Sequence, residues 1–243
     1  DKEFAEKGWL SIFLANHDKA RLVSLWGNDK PEFRDCSSKM LSTFLMTMRG
    51  TTYYYNGDEL AMTNAGFDKI EEIRDMALLN EYQYQKSKGA DLIEFLKRIS
   101  FEGRDNSRTP FQWNATDNAG FTTGKPWIKI APNYKEINAE AQEKDANSPL
   151  NYFRKLTKLR KENLVLVYGK YTLLDEPNES IYAYTRELNG KKMLILLNFN
   201  DKESTANTGI DMSKAKVVLG NYATPSSSGK LKPYEAVVYE LGN

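Results

Sequence analysis

Two short apolar runs, each ending abruptly in polar residues, restrict the fold more than any other feature of the sequence. Ser11–Ala15 contains a β-branched and an aromatic residue and gives way to Asn16, His17 and Asp18; Thr51–Tyr55 is β-branched and aromatic and gives way to Asn56, Gly57, Asp58 and Glu59. Such runs read as buried strands that carry polar groups to a rim. Between them Met40, Leu41, Phe44, Leu45 and Met48 recur at helical spacing, with Asp35, Ser37 or Ser38 as the cap and Gly50 as the stop. Strand, helix, strand at this spacing is a βαβ unit, with parallel strands and a right-handed crossover. Asn16–Asp18 and Asn56–Glu59 then share one rim, which in a (β/α) barrel is where chemistry takes place.

The remainder divides into two textures. Residues 1–8 read as the tail of a helix stopped by Gly8, and Asp68–Phe101 holds two helical stretches parted near Gly89. Glu102–Ser148 is a long excursion rich in Gly, Asn, Thr and Pro; a loop of that length in an ordered domain is expected to be functional, here as a wall of the rim. Ser148 and Pro149 open a further helix with Tyr152, Phe153, Leu156 and Leu159 on one side, and Arg154, Lys155, Lys158, Arg160 and Lys161 read as its solvated face. From Val165 the chain turns to short strands, expected at Val165–Leu174, Ile181–Glu187, Lys192–Phe199, Lys216–Tyr222 and Tyr234–Leu241, with turns such as Asn189-Gly190. The expected division is α/β sequence over residues 1–163 and an antiparallel β-sandwich over 164–243.

Thirty-four Lys and Arg against 33 Asp and Glu leave a net charge of +1, so electrostatics point to neither nucleic acid nor an anionic membrane, and a neutral substrate is expected. The single cysteine, Cys36, excludes an internal disulfide and a cysteine-built metal site, and reads as a small residue on a half-buried helix start. The charged stretch Asp1–Lys7 is unlike a signal peptide, and apolar runs such as Met193–Leu197 are far short of a membrane span.

Taken alone, Asn16 and Asp18 serve equally well as turn and capping residues, with His17, the only histidine, as a satisfied structural group. The alternative is a site, and two further blocks bear on it: Met48–Met62, containing Gly50-Thr51-Thr52 and Asn56-Gly57-Asp58-Glu59-Leu60, and Gly103–Asn114, containing Arg104-Asp105-Asn106-Ser107-Arg108-Thr109-Pro110. In this order the three blocks resemble the closing part of an α-glucosidase of glycoside hydrolase family 13, the α-amylase family, in its oligo-1,6-glucosidase and trehalose-6-phosphate hydrolase branch. The resemblance covers nearly the whole chain.

That resemblance implies the last two βα units of a (β/α)8 barrel followed by a β domain, and a retaining, exo-acting α-glucosidase. Asp18 takes the place of the family's transition-state stabiliser, His17 of a group that hydrogen-bonds the same sugar, and Arg104 of the arginine that closes the pocket at the non-reducing end. The family's aspartate nucleophile and glutamate acid lie upstream of residue 1, so this piece alone is expected to be inactive and to require the upstream barrel segment as its partner. By the same pattern Arg21 lines the entrance, whereas Arg108 and Asp105 are scaffold. No cofactor or metal is implied, since the calcium of some relatives sits in an early loop; with the cysteine usage, the compartment expected is the cytoplasm.

The sequence departs from the family at several points. Lys19 and Ala20 stand where Gln-Pro is usual, Thr52 where Pro is usual, Asp58 where Glu is usual, and Ala77 where many relatives have a glutamate facing the leaving group. Linkage preference is therefore open. Sucrose isomerase or trehalose synthase activity, and a non-catalytic amylase-like scaffold, are the alternatives, and a scaffold is disfavoured by the joint retention of His17, Asp18 and Arg104.

Overall fold

The structure, a computed structural model, describes residues 7–242. In chain order the helices are α1 (Leu22–Trp26), α2 (Arg34–Thr47), α3 (Met76–Ser87), α4 (Leu92–Glu102), α5 (Ala139–Lys144), α6 (Pro149–Glu162) and α7 (Leu164–Tyr168). The strands are β1 (Ser11–Ile12), β2 (Thr51–Thr52), β3 (Lys170–Leu174), β4 (Ile181–Leu188), β5 (Lys191–Asn198), β6 (Ser204–Thr205), β7 (Ala215–Gly220), β8 (Lys230–Leu231) and β9 (Ala236–Leu241). The chain forms two compact units, one made of the stretch up to Phe13, Asp29–Tyr53 and everything from Asn151, the other of Leu14–Asn28 and Tyr54–Leu150. Of the helix tail expected over residues 1–8, all but Lys7 and Gly8 lies outside the described residues.

In the first unit β1 and β2 pair in parallel, Ser11 opposite Thr51 and Ile12 opposite Thr52, with α2 in the connection between them. This is the expected βαβ unit. The ladder is two residues long, shorter than either apolar run, and each strand has one neighbour among the described residues. α2 begins at Arg34 without a side-chain cap, and Cys36 sits half-buried in its first turn.

Beside the apolar stripe of Met40, Leu41 and Leu45, α2 buries a second, hydroxylic one that periodicity did not reveal. Thr43 and Thr47 each donate to the carbonyl one turn back, and their hydroxyls meet those of Tyr152, at 2.8 Å, and Tyr184. Two buried arginines receive the carbonyls at the carboxyl end of α2. Arg160 donates to Met46, Met48, Gly50 and Leu166, and Arg186 to Thr47 and Gly169. Positive charge at a helix carboxyl terminus is favourable in itself and satisfies the carbonyls the helix leaves unpaired. Arg160 is thus no part of a solvated face; Lys158 and Lys161 of the same basic run are exposed.

The carboxyl-terminal sequence forms an antiparallel five-stranded sheet in the order β3-β4-β5-β9-β7, and β6 pairs with β8 in a small antiparallel ladder. Ala183, Leu196 and Val237, in register across the central strands, share a core with Leu194, Tyr239 and Leu231 of β8, which makes this a sandwich of unequal layers. On the opposite face Phe44 of α2 meets Tyr182 edge-on at 5.6 Å. Burial on both faces explains why Met193–Leu197 is continuously apolar rather than alternating. The β4–β5 hairpin turns at Asn189 and Gly190, both with positive φ. The strand expected over Val165–Leu174 is half helix: Leu164–Tyr168 forms α7, Gly169 ends it, and β3 starts at Lys170.

The second unit packs α3 and α4, capped by Asp75 and Asp91, around Phe67, Ile73, Phe95, Ile99 and Ile128. The excursion 102–148 is not structureless: 3-10 turns form at Arg104–Arg108, Asp117–Gly120 and Pro132–Lys135, followed by α5. No helix among the described residues is long and apolar enough to cross a membrane.

Candidate active site

The site lies within the second unit and is assembled from the three blocks the sequence singled out. The Asn16 side chain accepts the Asp18 amide at 2.8 Å, so Asn16 does make the turn that its residue type suggests. This turn offers Asp18 outward, its side chain 50% exposed. His17 Nε2 stands 3.3 Å from Asp18 Oδ2 and is itself exposed.

Asp18 Oδ1 receives two guanidinium groups, Arg104 Nη1 at 3.0 Å and Arg108 Nη2 at 2.8 Å, and Arg108 Nε also donates to the His17 carbonyl at 2.9 Å. The hydrogen bond from Arg104, with the nearby charges of His17, Arg104 and Arg108, holds the Asp18 carboxyl below the usual carboxylate range despite some desolvation. The three residues expected from sequence are therefore together. Arg108, expected as scaffold, is a direct partner of Asp18, whereas Asp105 is scaffold: its Oδ2 accepts the amides of Arg74 and Asp75 at 2.6 and 3.0 Å.

The residue that sequence reasoning passed over is Asp75. Its carboxylate takes Arg104 side-on, Oδ2 from Nε at 2.5 Å and Oδ1 from Nη2 at 2.7 Å, while Oδ1 also caps α3 through the Ala77 amide at 2.9 Å. The hydrogen bond from Arg104 holds Asp75 below its ordinary range, and Arg104 is in turn pushed up, first by Asp75 and then by Asp18. A signal was present in the sequence, because Arg-Asp occurs in both segments, Arg74-Asp75 and Arg104-Asp105, and each aspartate serves the other segment.

Arg21 corrects another expectation. It lines no entrance: it is fully buried and donates to the carbonyls of Asn106 at 3.1 Å and Asn56 at 2.7 Å, and to Thr109 Oγ1 at 3.1 Å, so that one side chain ties all three blocks together. Gly57, at φ 94°, is required beside it, since a Cβ there would stand 2.6 Å from Arg21 Nη1. Gly103 is required at the head of the arginine segment, where a Cβ would lie 2.3 Å from the Ile99 carbonyl oxygen. Asp58 is buried with Oδ1 unpartnered, and desolvation, only partly offset by Arg21, pushes its carboxyl up to about 7.

Lys19 and Ala77, two of the departures from the family pattern, are exposed, and Ala20 is buried. Among the described residues no group of three or more His, Cys, Asp or Glu side chains is placed to hold a metal ion.

Comparison with known proteins identifies the family. Residues 1–169 match the alpha amylase catalytic domain, and residues 171–238 match the maltogenic amylase C-terminal domain. The chain is 42% identical to the oligo-1,6-glucosidase of Parageobacillus thermoglucosidasius over 99% of its own length and 44% of that protein's. Among solved structures, trehalose-6-phosphate hydrolase of Bacillus licheniformis superposes with a TM-score of 0.90 at 42% identity, covering 97% of this chain and 44% of that one. Isomaltulose synthase of Klebsiella sp. LX3 superposes with a TM-score of 0.89 at 40% identity, covering 97% and 43%. The chain thus spans less than half the length of the relatives it matches. With its catalytic-domain sequence, its C-terminal domain and these relatives, the chain belongs to the α-amylase family, glycoside hydrolase family 13.

Proposed function

We propose that the chain is the carboxyl-terminal portion of a retaining, exo-acting α-glucosidase that releases terminal α-linked glucose from short oligosaccharides. The observation that carries this reading is the Asp18 carboxylate, half-exposed and fixed from one side by Arg104 and Arg108. Two guanidinium donors fill Oδ1, which leaves the lone pairs of Oδ2, approached by His17 at 3.3 Å, to accept hydroxyl groups of a sugar. Kept ionised below the ordinary carboxylate range, Asp18 forms charge-assisted bonds that strengthen as positive charge develops at the anomeric carbon, and so lowers the barrier to glycoside cleavage. Arg104 faces the same sugar and closes the pocket to longer chains. The nucleophile and the general acid come from a preceding segment of the same enzyme, and this chain alone hydrolyses nothing.

In the full-length enzyme Asp18→Asn is expected to lower kcat/KM on an aryl α-glucoside by roughly 10³-fold, the scale of one preorganised polar contact in a transition state. Turnover at the wild-type rate would remove Asp18 from the mechanism. The likeness to isomaltulose synthase supports a second reading, transfer of the glucosyl group to a sugar instead of water. Product analysis on sucrose separates the two: free glucose and fructose support hydrolysis, an isomeric disaccharide supports transfer.

A further inference from the structure

Arg104 is held at its far edge by Asp75 as firmly as it holds Asp18, and from this we infer that Asp75 is a positioning residue for sugar binding, acting only through Arg104. The inference rests on the reading of Asp18 and Arg104 given above. Asp75 is almost buried, its side chain 4% exposed, while that of Arg104 is 35% exposed. The carboxylate engages Nε and Nη2 together, a two-pronged contact that fixes the guanidinium plane as well as its position, and Nη1 is then the group that reaches Asp18.

Asp75 is held in place by bonds to its backbone, its side chain and the preceding residue. Its amide and that of Arg74 donate to Asp105 Oδ2, and its Oδ1 caps the first turn of α3. The two Arg-Asp pairs form a reciprocal clasp in which Asp105 anchors the backbone of one segment and Asp75 the side chain of the other. Charge is balanced across it, with Arg104 and Arg108 set against Asp18 and Asp75. Without the charge of Asp75, Arg104 has Asp18 as its remaining carboxylate partner among the described residues, and a guanidinium on a flexible stem turns both prongs onto it, covering the oxygen that faces the sugar.

Asp75→Asn isolates this role, because asparagine still caps a helix and still offers one oxygen, but presents an amide N–H to Arg104 Nε and carries no charge. In the full-length enzyme we expect Asp75→Asn to reduce kcat/KM on an aryl α-glucoside roughly 10–100-fold, with the melting temperature close to wild type. Arg104→Gln should reduce it at least as much, with the same division between KM and kcat, and the double variant should match Arg104→Gln within about twofold, since residues acting as one unit are not additive. Asp75→Ser, also a capping residue, repeats the test should the asparagine variant fail to accumulate. Wild-type activity of Asp75→Asn beside an impaired Arg104→Gln, or losses that multiply in the double variant, would overturn the inference while leaving the role of Arg104 intact. A fully active Arg104→Gln would remove both.

Discussion

Asp58 and Asp18 are carboxylates of the same unit with opposite electrostatic fates. Asp18 and Asp75, held below their ordinary range by Arg104, contribute stability above the usual carboxylate pKa that is lost on acidification. Asp58 acts in the other direction. Its carboxyl is pushed up to about 7 by burial, so the folded chain binds more protons than the unfolded one between about pH 4 and 7, and stability falls as pH rises through that window. The cost of keeping this carboxylate ionised in the fold is at most about 4 kcal/mol and is fully present above pH 7. Asp58→Asn, close in shape and neutral, is therefore expected to raise the urea midpoint of unfolding at about pH 8 and to leave it nearly unchanged at about pH 4; an equal change at both values would show that Asp58 does not titrate there. His17, Asp18 and Arg104 were legible as candidates because Asn16-His17-Asp18 and the segment opening at Gly103-Arg104 match the family's pattern. Asp75, Arg108 and the burial of Arg21 were not, because a motif fixes which residue types recur and says nothing of which cation each carboxylate meets. Burying a guanidinium as fully as Arg21 needs acceptors, and here, beside Thr109 Oγ1, they are backbone carbonyls, which no side-chain pattern records.

The elements divide along the same line. The strands of the five-stranded sheet from Ile181 onward were legible from composition and turn residues, because hairpins are local, whereas the two-residue strands β6 and β8 were not; β4 and β5 meet their expected bounds to within a residue. α7 was misread because Val165, Val167 and Tyr168 favour strands intrinsically, yet Leu164–Tyr168 coils between the Asn163 and Gly169 turns, and tertiary burial of Val165 and Leu166 decides. α2 depends on contacts that its own sequence does not contain. Arg160 satisfies three carbonyls at and beyond its carboxyl end and that of Leu166 in α7, so Arg160→Met leaves buried acceptors unpaired and is expected to cost about 3–5 kcal/mol in chemical denaturation. Arg160→Lys, a single ammonium in place of a fork, recovers part of that. Lys158→Ala, two residues earlier on the exposed side of α6, is expected to change stability by no more than about 0.5 kcal/mol, and comparable losses at both positions would mean that the basic run acts through charge alone.

For the molecule as a whole, the parallel pair β1–β2 is the element least complete in itself. Parallel strands owe their stability to sheets covered on both faces, and a free strand edge is a template for another strand. Each of these strands has one neighbour among the described residues, and Trp9, Phe13 and Tyr53, which precede or follow them, are all exposed. Net charge is +1, so no electrostatic repulsion opposes association. On the proposed reading, a preceding segment of the same enzyme joins these edges and brings the nucleophile and acid to Asp18 in the same step, so folding and activity are acquired together. The chain alone is then expected to self-associate and bind an apolar dye such as ANS. Co-expressed with the preceding segment, it should give a one-to-one complex with little dye binding that hydrolyses an aryl α-glucoside. Sedimentation velocity with dye fluorescence checks this directly. A chain that stays monomeric without binding dye, and ignores the added segment, would mean that these edges are not where the catalytic domain is completed, and the source of the missing carboxylates would have to be sought elsewhere.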